Sequence, residues 1–399
     1  MRKVLKSVAP MLVLFASSIS NTNTLFAAPS LEPDSKAPYS ILIDFDSGKT
    51  LYEKNADIAI PPSSMSKLMT VYYTFEKLKE GKYTLDTEFT VGPEAWKKAK
   101  EMNANSGSTM FLEQNEKVRL EDLIRGIIVN SGNDATIVIA ENMSGSEDNF
   151  VIELNKLASR LGLKNTTLVN ASGWYVPNHL MSVRDLSLLA RRIIQDFPEY
   201  YHYFGQKEFL YKQDLTGNKD NRNKLLWIMP DSDGLKTGHT KQGGYALASS
   251  AKRGDRRLIA VVNGIKGNNA SYARFSDSKA LLEWGFREFS NLVYYKPNEK
   301  IIDVPVWFGK YDTVPSGTSE QIQITARRSE TPNVEFRATY DSPIPAPVKA
   351  GDVIGTLSLY EDGTKVRDYE LIALQDVRKI SFIGRIFRNI QQIILYIVK

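Results

Sequence analysis

A change of hydrophobic rhythm near residue 293 limits this chain more than any other single feature. Before it, stretches of helical period alternate with strand-like runs. Leu68, Val71, Tyr72, Phe75 and Leu78 fall on one face of a helix opening near Ser64, with Ser63 as its expected cap and Gly81 suited to its end. Further helical stretches cover residues 120–129, 134–142 and 146–161, and Ser182-Val183-Arg184-Asp185 is a capping box that opens another. "YSILIDFDSGKTLYEKN" alternates apolar and polar residues around Asp46-Ser47-Gly48, a hairpin signal. Two more β-rich runs, near 245–251 and 257–263, flank Arg253-Gly254-Asp255, and a helix then runs to about Phe289. After Val293 the runs are short, β-branched or aromatic, and punctuated by turns such as Glu361-Asp362-Gly363-Thr364. A mixed α/β domain followed by a small all-β domain is the expected architecture.

The chemistry open to such a chain is narrowed by what it lacks. There are no cysteines, which removes thiolate nucleophiles, disulfides and Cys-based metal sites together. The three histidines, His179, His202 and His239, supply a Ser-His-Asp triad or a metal site thinly, so no metal or cofactor is expected and serine and lysine become the candidate actors. The net charge of +5 sits at the two ends: Arg2, Lys3 and Lys6 at one, and Arg378, Lys379, Arg385, Arg388 and Lys399 at the other. Removing those eight cations leaves the body at −3, without the concentrated basic face that nucleic acid requires.

Each end has its own reading. "MRKVLK" followed by the apolar "VAPMLVLFASSIS" is a secretory signal, residues 1–28, with cleavage near Ala27 or Ala28. Residues 377–399 are amphipathic, with Ile383, Ile386, Phe387, Ile390, Ile393, Ile394 and Ile397 on one side and Arg385, Arg388, Asn389 and Gln392 on the other. Polar residues interrupt this segment too often for a bilayer span. It suits a helix lying on an anionic membrane, the periplasmic face of the bacterial cytoplasmic membrane for an exported chain. A terminal helix packed on its own domain, or one that makes a homodimer, is the competing use.

The sequence holds Ser-x-x-Lys three times, at Ser64/Lys67, Ser249/Lys252 and Ser276/Lys279. On a helix this spacing puts both side chains on one face within contact range. Lysine can take a proton from serine only when it is itself neutral, which demands burial or a second cation nearby. Ser249 lies in a strand and Ser276 in a polar helical segment, so Ser64/Lys67 is the stronger pair. Ser131-Gly132-Asn133 falls in the break between two helical stretches, where side chains can point into a cleft. Lys236-Thr237-Gly238-His239 opens a strand whose lysine can supply the second cation and whose edge can pair with a substrate backbone. Taken singly, each has a bland reading as a helix end or an exposed turn.

Taken in this order, the three motifs resemble those of penicillin-recognising serine enzymes. "NDATIVIAE", "LGLKNT", "GYALASSAKRGDRRLIAVV", "LLEWGFREF" and "VWFG" extend the resemblance to the low-molecular-mass penicillin-binding proteins, the serine-type D-alanyl-D-alanine carboxypeptidases. The resemblance implies a transpeptidase and serine β-lactamase-like domain over 29–292, of α/β (α+β) class, with a central antiparallel sheet and a helical subdomain. A β-rich domain over 293–376 and the membrane helix would follow. It further implies Ser64 as acylated nucleophile, Lys67 as general base and Ser131 as proton relay. Asn133 would hold a substrate amide and Lys236 would keep Lys67 neutral. Thr237, Gly238 and Arg274 would serve the terminal carboxylate side, and the backbone N–H groups of Ser64 and His239 would make an oxyanion hole. The implied substrate is a peptidoglycan pentapeptide, with β-lactams as inhibitors. Two alternatives remain: a class A-like β-lactamase, and a catalytically silent envelope protein that binds peptidoglycan. The first needs a loop Glu to activate the deacylating water, and no Asp or Glu occurs from Leu154 to Arg184.

Overall fold

The computed structural model describes residues 10–16, 32–105, 107–212, 219–381 and 384. It divides into two compact units, one from Ser30 to Arg287, the other from Glu288 onward together with the first residues of the chain. Strand β1 (Pro10–Ala16) belongs to the second.

The first unit contains, in chain order, β2 (Tyr39–Asp44), β3 (Thr50–Lys54), α1 (Lys67–Lys79), β4 (Glu88–Thr90), α2 (Pro93–Ala104), β5 (Lys117–Arg119) and α3 (Leu120–Arg125). There follow α4 (Asn133–Ser144), α5 (Glu147–Arg160), α6 (Val183–Asp196), α7 (Leu225–Ile228), β6 (Ser232–Thr240), β7 (Gly244–Arg253), β8 (Arg256–Ile265) and α8 (Ala270–Glu288). Five strands form an antiparallel sheet in the order β3-β2-β8-β7-β6, which leaves β6 at an edge. Leu186, Leu189 and Ile193 form the buried stripe of α6, which packs on β2 and β8. Ser182 caps it by accepting from the Asp185 N–H at 3.1 Å.

Helix α1 is enclosed on nearly every side, because Leu68, Met69, Thr70, Val71, Thr74 and Phe75 are all buried. The Phe75 ring meets Phe197, Tyr200 and Phe204 at centroid separations of 5.7, 5.0 and 6.4 Å. The helix enters through a 3-10 turn, Ser63–Ser66, and regular α geometry starts at Lys67. Ser63 does not cap it. Its backbone is left-handed, with φ 52°, and its Oγ lies 3.0 Å from Thr240 Oγ1 on β6. A tertiary bond therefore replaces the local one. The helical stretch after Leu120 also departs from a plain helix: Gly126–Asn130 is a π turn, and Ser131 follows at φ 62° and ψ 34°.

The second unit contains β9 (Phe289–Tyr295), β10 (Ile302–Trp307), β11 (Thr313–Gly317), β12 (Ile322–Arg327), β13 (Val334–Asp341), β14 (Ile344–Pro345), β15 (Val353–Glu361) and β16 (Thr364–Ala373). One sheet runs β1-β13-β15-β16-β11-β10-β14, and β12 pairs separately with β9. Strand period two is plain in β13, where Val334, Phe336, Ala338 and Tyr340 are buried against Val304, Val314, Leu357, Leu359 and Leu371. Residues 377–380, expected as the start of the amphipathic helix, are instead extended, because Val377 bridges to Val348 and Lys379 to Gly309. Beyond residue 381 the amphipathic segment, apart from residue 384, lies outside the described residues. Of the apolar run expected as a leader, Pro10–Ala16 pairs antiparallel with β13, Pro10 opposite Asp341 and Ala16 opposite Glu335, while residues 1–9 and 17–31 lie outside the described ones. Among the described residues, no helix is long and apolar enough to cross a membrane.

Candidate active site

The 3-10 turn ahead of α1 carries Ser64 half-buried at the surface of a cleft and Lys67 fully buried one turn later. The Lys67 Nζ lies 3.0 Å from Ser64 Oγ, 2.6 Å from Asn133 Oδ1 and 2.5 Å from the Ser172 carbonyl oxygen. The chemistry of those partners matters. A neutral amine has two N–H bonds and one lone pair. Asn133 Oδ1 and the Ser172 carbonyl can only accept, so they take the two N–H bonds, and the lone pair is left for the Ser64 hydroxyl. Burial, helped by the Arg222 guanidinium and opposed by the Asp134 carboxylate, holds the Lys67 pKa down at about 7.

Two other segments converge on this pair. Ser131 sits at its left-handed position after the π turn, and Asn133 opens α4, its N–H bonded to the Ser108 carbonyl at 2.8 Å. The buried Asp134 carboxylate accepts from Met110 N–H at 2.9 Å and Leu112 N–H at 3.2 Å, which fixes the 108–112 wall to the start of α4. From the other side comes the edge strand β6 with Lys236, Thr237, Gly238 and His239. A Cβ on Gly238 would lie 2.9 Å from the Pro62 carbonyl oxygen, so only glycine lets β6 lie this close to the Ser64 turn. Gly173 has the same constraint more severely, since its Cβ would fall 2.1 Å from the Ser63 oxygen.

Ser64, Ser131, Asn133, Thr237, Gly238, His239 and Arg274 all line one cavity of about 240 Å³. The buried Lys236 has its pKa pushed well down by desolvation and by the charges of Lys67, Arg222 and Arg274. Arg274 donates to the Gly238 carbonyl at 3.1 Å and lies over the Tyr245 ring, its own pKa lowered by burial to about 10. The His239 ring stacks on Tyr245 at 3.8 Å. Every side chain or backbone expected at the site is therefore in or directly behind the one cleft. The competing Ser-x-x-Lys pairs are spent elsewhere: Ser249 Oγ donates to the Ala260 carbonyl inside the sheet, and Ser276 Oγ to the Ala273 carbonyl within its helix.

The cleft also holds residues that no motif marks. Arg222 and Trp174 line it beside Gly107, Ser108 and Tyr245. Arg222 comes from an irregular stretch before α7, and its pKa is lowered by burial. The one available signal was the requirement for a second cation near Lys67, which points to a charge but not to a position. Trp174 lies in the acid-free loop whose Ser172 carbonyl meets Lys67. Chemically, the arrangement joins a hydroxyl, a near-neutral buried amine and a strongly cationic wall for a carboxylate. No group of His, Asp or Glu suited to a metal ion occurs among the described residues.

Comparison with known proteins bears on the family and the fold. The family model for D-alanyl-D-alanine carboxypeptidase matches residues 26–267, and that for the C-terminal domain of penicillin-binding protein 5 matches residues 289–379. The chain belongs to the D-alanyl-D-alanine carboxypeptidase family. It is 37% identical to the carboxypeptidase DacC of Escherichia coli over 378 residues, covering 94% of this chain and 92% of that one. It is 33% identical to DacF of Bacillus subtilis, covering 87% of each. Among solved structures, penicillin-binding protein 5 of Haemophilus influenzae superposes with a TM-score of 0.75 at 35% identity, over 88% of this chain and all of that one. The penicillin-binding fold with its central antiparallel sheet and a following all-β domain is thereby common ground with these relatives. Neither the β-lactamase nor the silent-binder alternative is favoured by any of these matches.

Proposed function

We propose that this chain is a serine-type carboxypeptidase that removes the terminal D-alanine from peptidoglycan stem pentapeptides through an acyl-enzyme on Ser64. The observation that carries this reading is the buried Lys67 amine, 3.0 Å from Ser64 Oγ with its pKa held at about 7. Lys67 takes the hydroxyl proton as Ser64 Oγ attacks the carbonyl between the two D-alanines. The developing oxyanion is held by the backbone N–H groups of Ser64 and His239, each worth about 3 kcal/mol to the transition state. Ser131 passes a proton to the departing D-alanine nitrogen, and Asn133 holds the amide of the stem peptide. The D-alanine carboxylate binds on the Thr237 and Arg274 side, where Arg222 adds positive charge and Lys236 lies buried behind the strand. Water then releases the shortened peptide. A β-lactam follows the same first step and leaves an acyl group that water removes slowly.

The chain acts outside the cytoplasm. On this reading residues 1–28, β1 among them, serve as a secretory leader whose removal leaves β13 at the edge of its sheet, and the segment after residue 381 attaches to the outer face of an anionic cytoplasmic membrane as an amphipathic helix. Support comes from the basic and apolar pattern of both ends and from the exported nature of cell-wall chemistry. The test of the reaction is release of free D-alanine from a pentapeptide by the purified chain, lost in Ser64→Ala. Release that persists in that variant would end the assignment.

A further inference from the structure

The β10–β11 hairpin turn of the second unit gathers aromatic and cationic groups at one place. The Trp307 and Phe308 rings stack at 4.6 Å with 18° between planes, both half-buried. Phe308 is held at φ 59°, a backbone region costly for a bulky side chain and the kind of strain that marks functional sites. Tyr311 is 51% exposed, and the Lys310 ammonium lies 5.7 Å from its ring centroid. Against this turn runs the last described stretch of the chain: Lys310 N–H donates to the Arg378 carbonyl at 2.7 Å and Ile380 N–H to the Phe308 carbonyl at 2.9 Å. Arg378 and Lys379 are exposed, as is Lys310, and Asp312 is the acid within the turn's own sequence, residues 308–312. Asp376 is turned to another task, accepting from Ala350 N–H.

We infer that this turn is a second membrane contact, inserting Tyr311 with the Trp307–Phe308 pair at the headgroup level of an anionic bilayer while Lys310, Arg378 and Lys379 meet its phosphates. The inference rests on the proposed membrane attachment through residues 382–399. The occupant is set by chain continuity. Ile380 is bonded to Phe308, and at 3.8 Å per residue the amphipathic segment starts within about 8 Å of the turn. A segment lying in the interface plane brings the turn to that plane. Aromatic rings flanked by lysine and arginine are the side chains that settle at this depth. The opposite kind of turn, Glu361-Asp362-Gly363-Thr364, carries two acids and no aromatic ring.

The absence of native cysteine allows single-site labelling. Tyr311→Cys, Ile393→Cys and Asp362→Cys, each in the full chain with an environment-sensitive fluorophore, are mixed with phosphatidylethanolamine–phosphatidylglycerol vesicles and with phosphatidylcholine vesicles. The inference requires a blue shift and quenching by membrane-embedded quenchers at 311 with anionic vesicles, and none at 362. Lys310→Ser should weaken vesicle binding about fivefold. If 393 enters the membrane while 311 behaves like 362, the turn is not a contact and the anchor stands. If neither enters, both fail. A shift at 311 without any shift at 393 keeps the turn and removes the anchor. A shift at 311 that follows protein concentration rather than vesicles assigns the turn to a second copy and overturns the inference.

Discussion

A lysine with its ordinary pKa is protonated at neutral pH and has no lone pair for the Ser64 proton. Lys67 escapes that limit because it is buried and shares its surroundings with Arg222. With its pKa near 7, about one tenth is neutral at pH 6 and about nine tenths at pH 8. Acylation by penicillin should therefore rise through this range and level off above it, in a rate profile read by stopped-flow labelling. Arg222→Ala removes a charge that lowers the Lys67 pKa, so its profile should shift to higher pH; an unmoved profile would detach Arg222 from the base. Lys67→Ala should lower the acylation rate about 10²–10⁴-fold with the fold intact. At this scale the sequence was informative where chemistry is local, as with Ser64 and Lys67 one turn apart. It was silent on Arg222, which reaches the cleft from an irregular segment and carries no spacing to read.

Three elements do the positioning: the 3-10 entry to α1, the π turn before Ser131, and the edge strand β6. The helices and strands behind them follow hydrophobic period, which is why α5, α6, β7 and β8 were legible within a few residues. The special backbones were not, because each is set by contacts across the fold. Ser63 is left-handed and bonded to Thr240 more than a hundred residues away, so a reading based on helix caps assigns it the wrong partner. Helix α2 was missed for a different reason: only Ala95 and Ala99 of its twelve residues are buried, leaving a weak apolar stripe. Substitution of Gly238 by valine should push β6 away from the Ser64 turn and reduce acylation about 100-fold, since a displacement near 1 Å costs that much. Near-wild-type labelling by that variant would show that the close approach is dispensable. Phe75→Ala, in the core of α1, should cost about 3–5 kcal/mol of stability, measured by urea unfolding.

As a whole, the chain forms two compact units that meet in sequence at Arg287 and Glu288, a few residues before the change of hydrophobic rhythm near Val293. What periodicity could not supply was the continuation of paired backbone past Asp376, since Val377 and Lys379 join the β domain through single bridges rather than a repeating strand. Removing residues 382–399 should leave both units folded, release the protein from membranes and preserve D-alanine release in solution; tight vesicle binding by the shortened chain would refute the terminal anchor. The central claim, a serine acylated with a buried neutral lysine as its base, is tested most directly by intact-mass analysis after exposure to benzylpenicillin. Wild type should gain one penicilloyl mass rapidly, Lys67→Ala the same mass far more slowly, and Ser64→Ala none. An equal adduct on Ser64→Ala, or wild-type speed in Lys67→Ala, would contradict it.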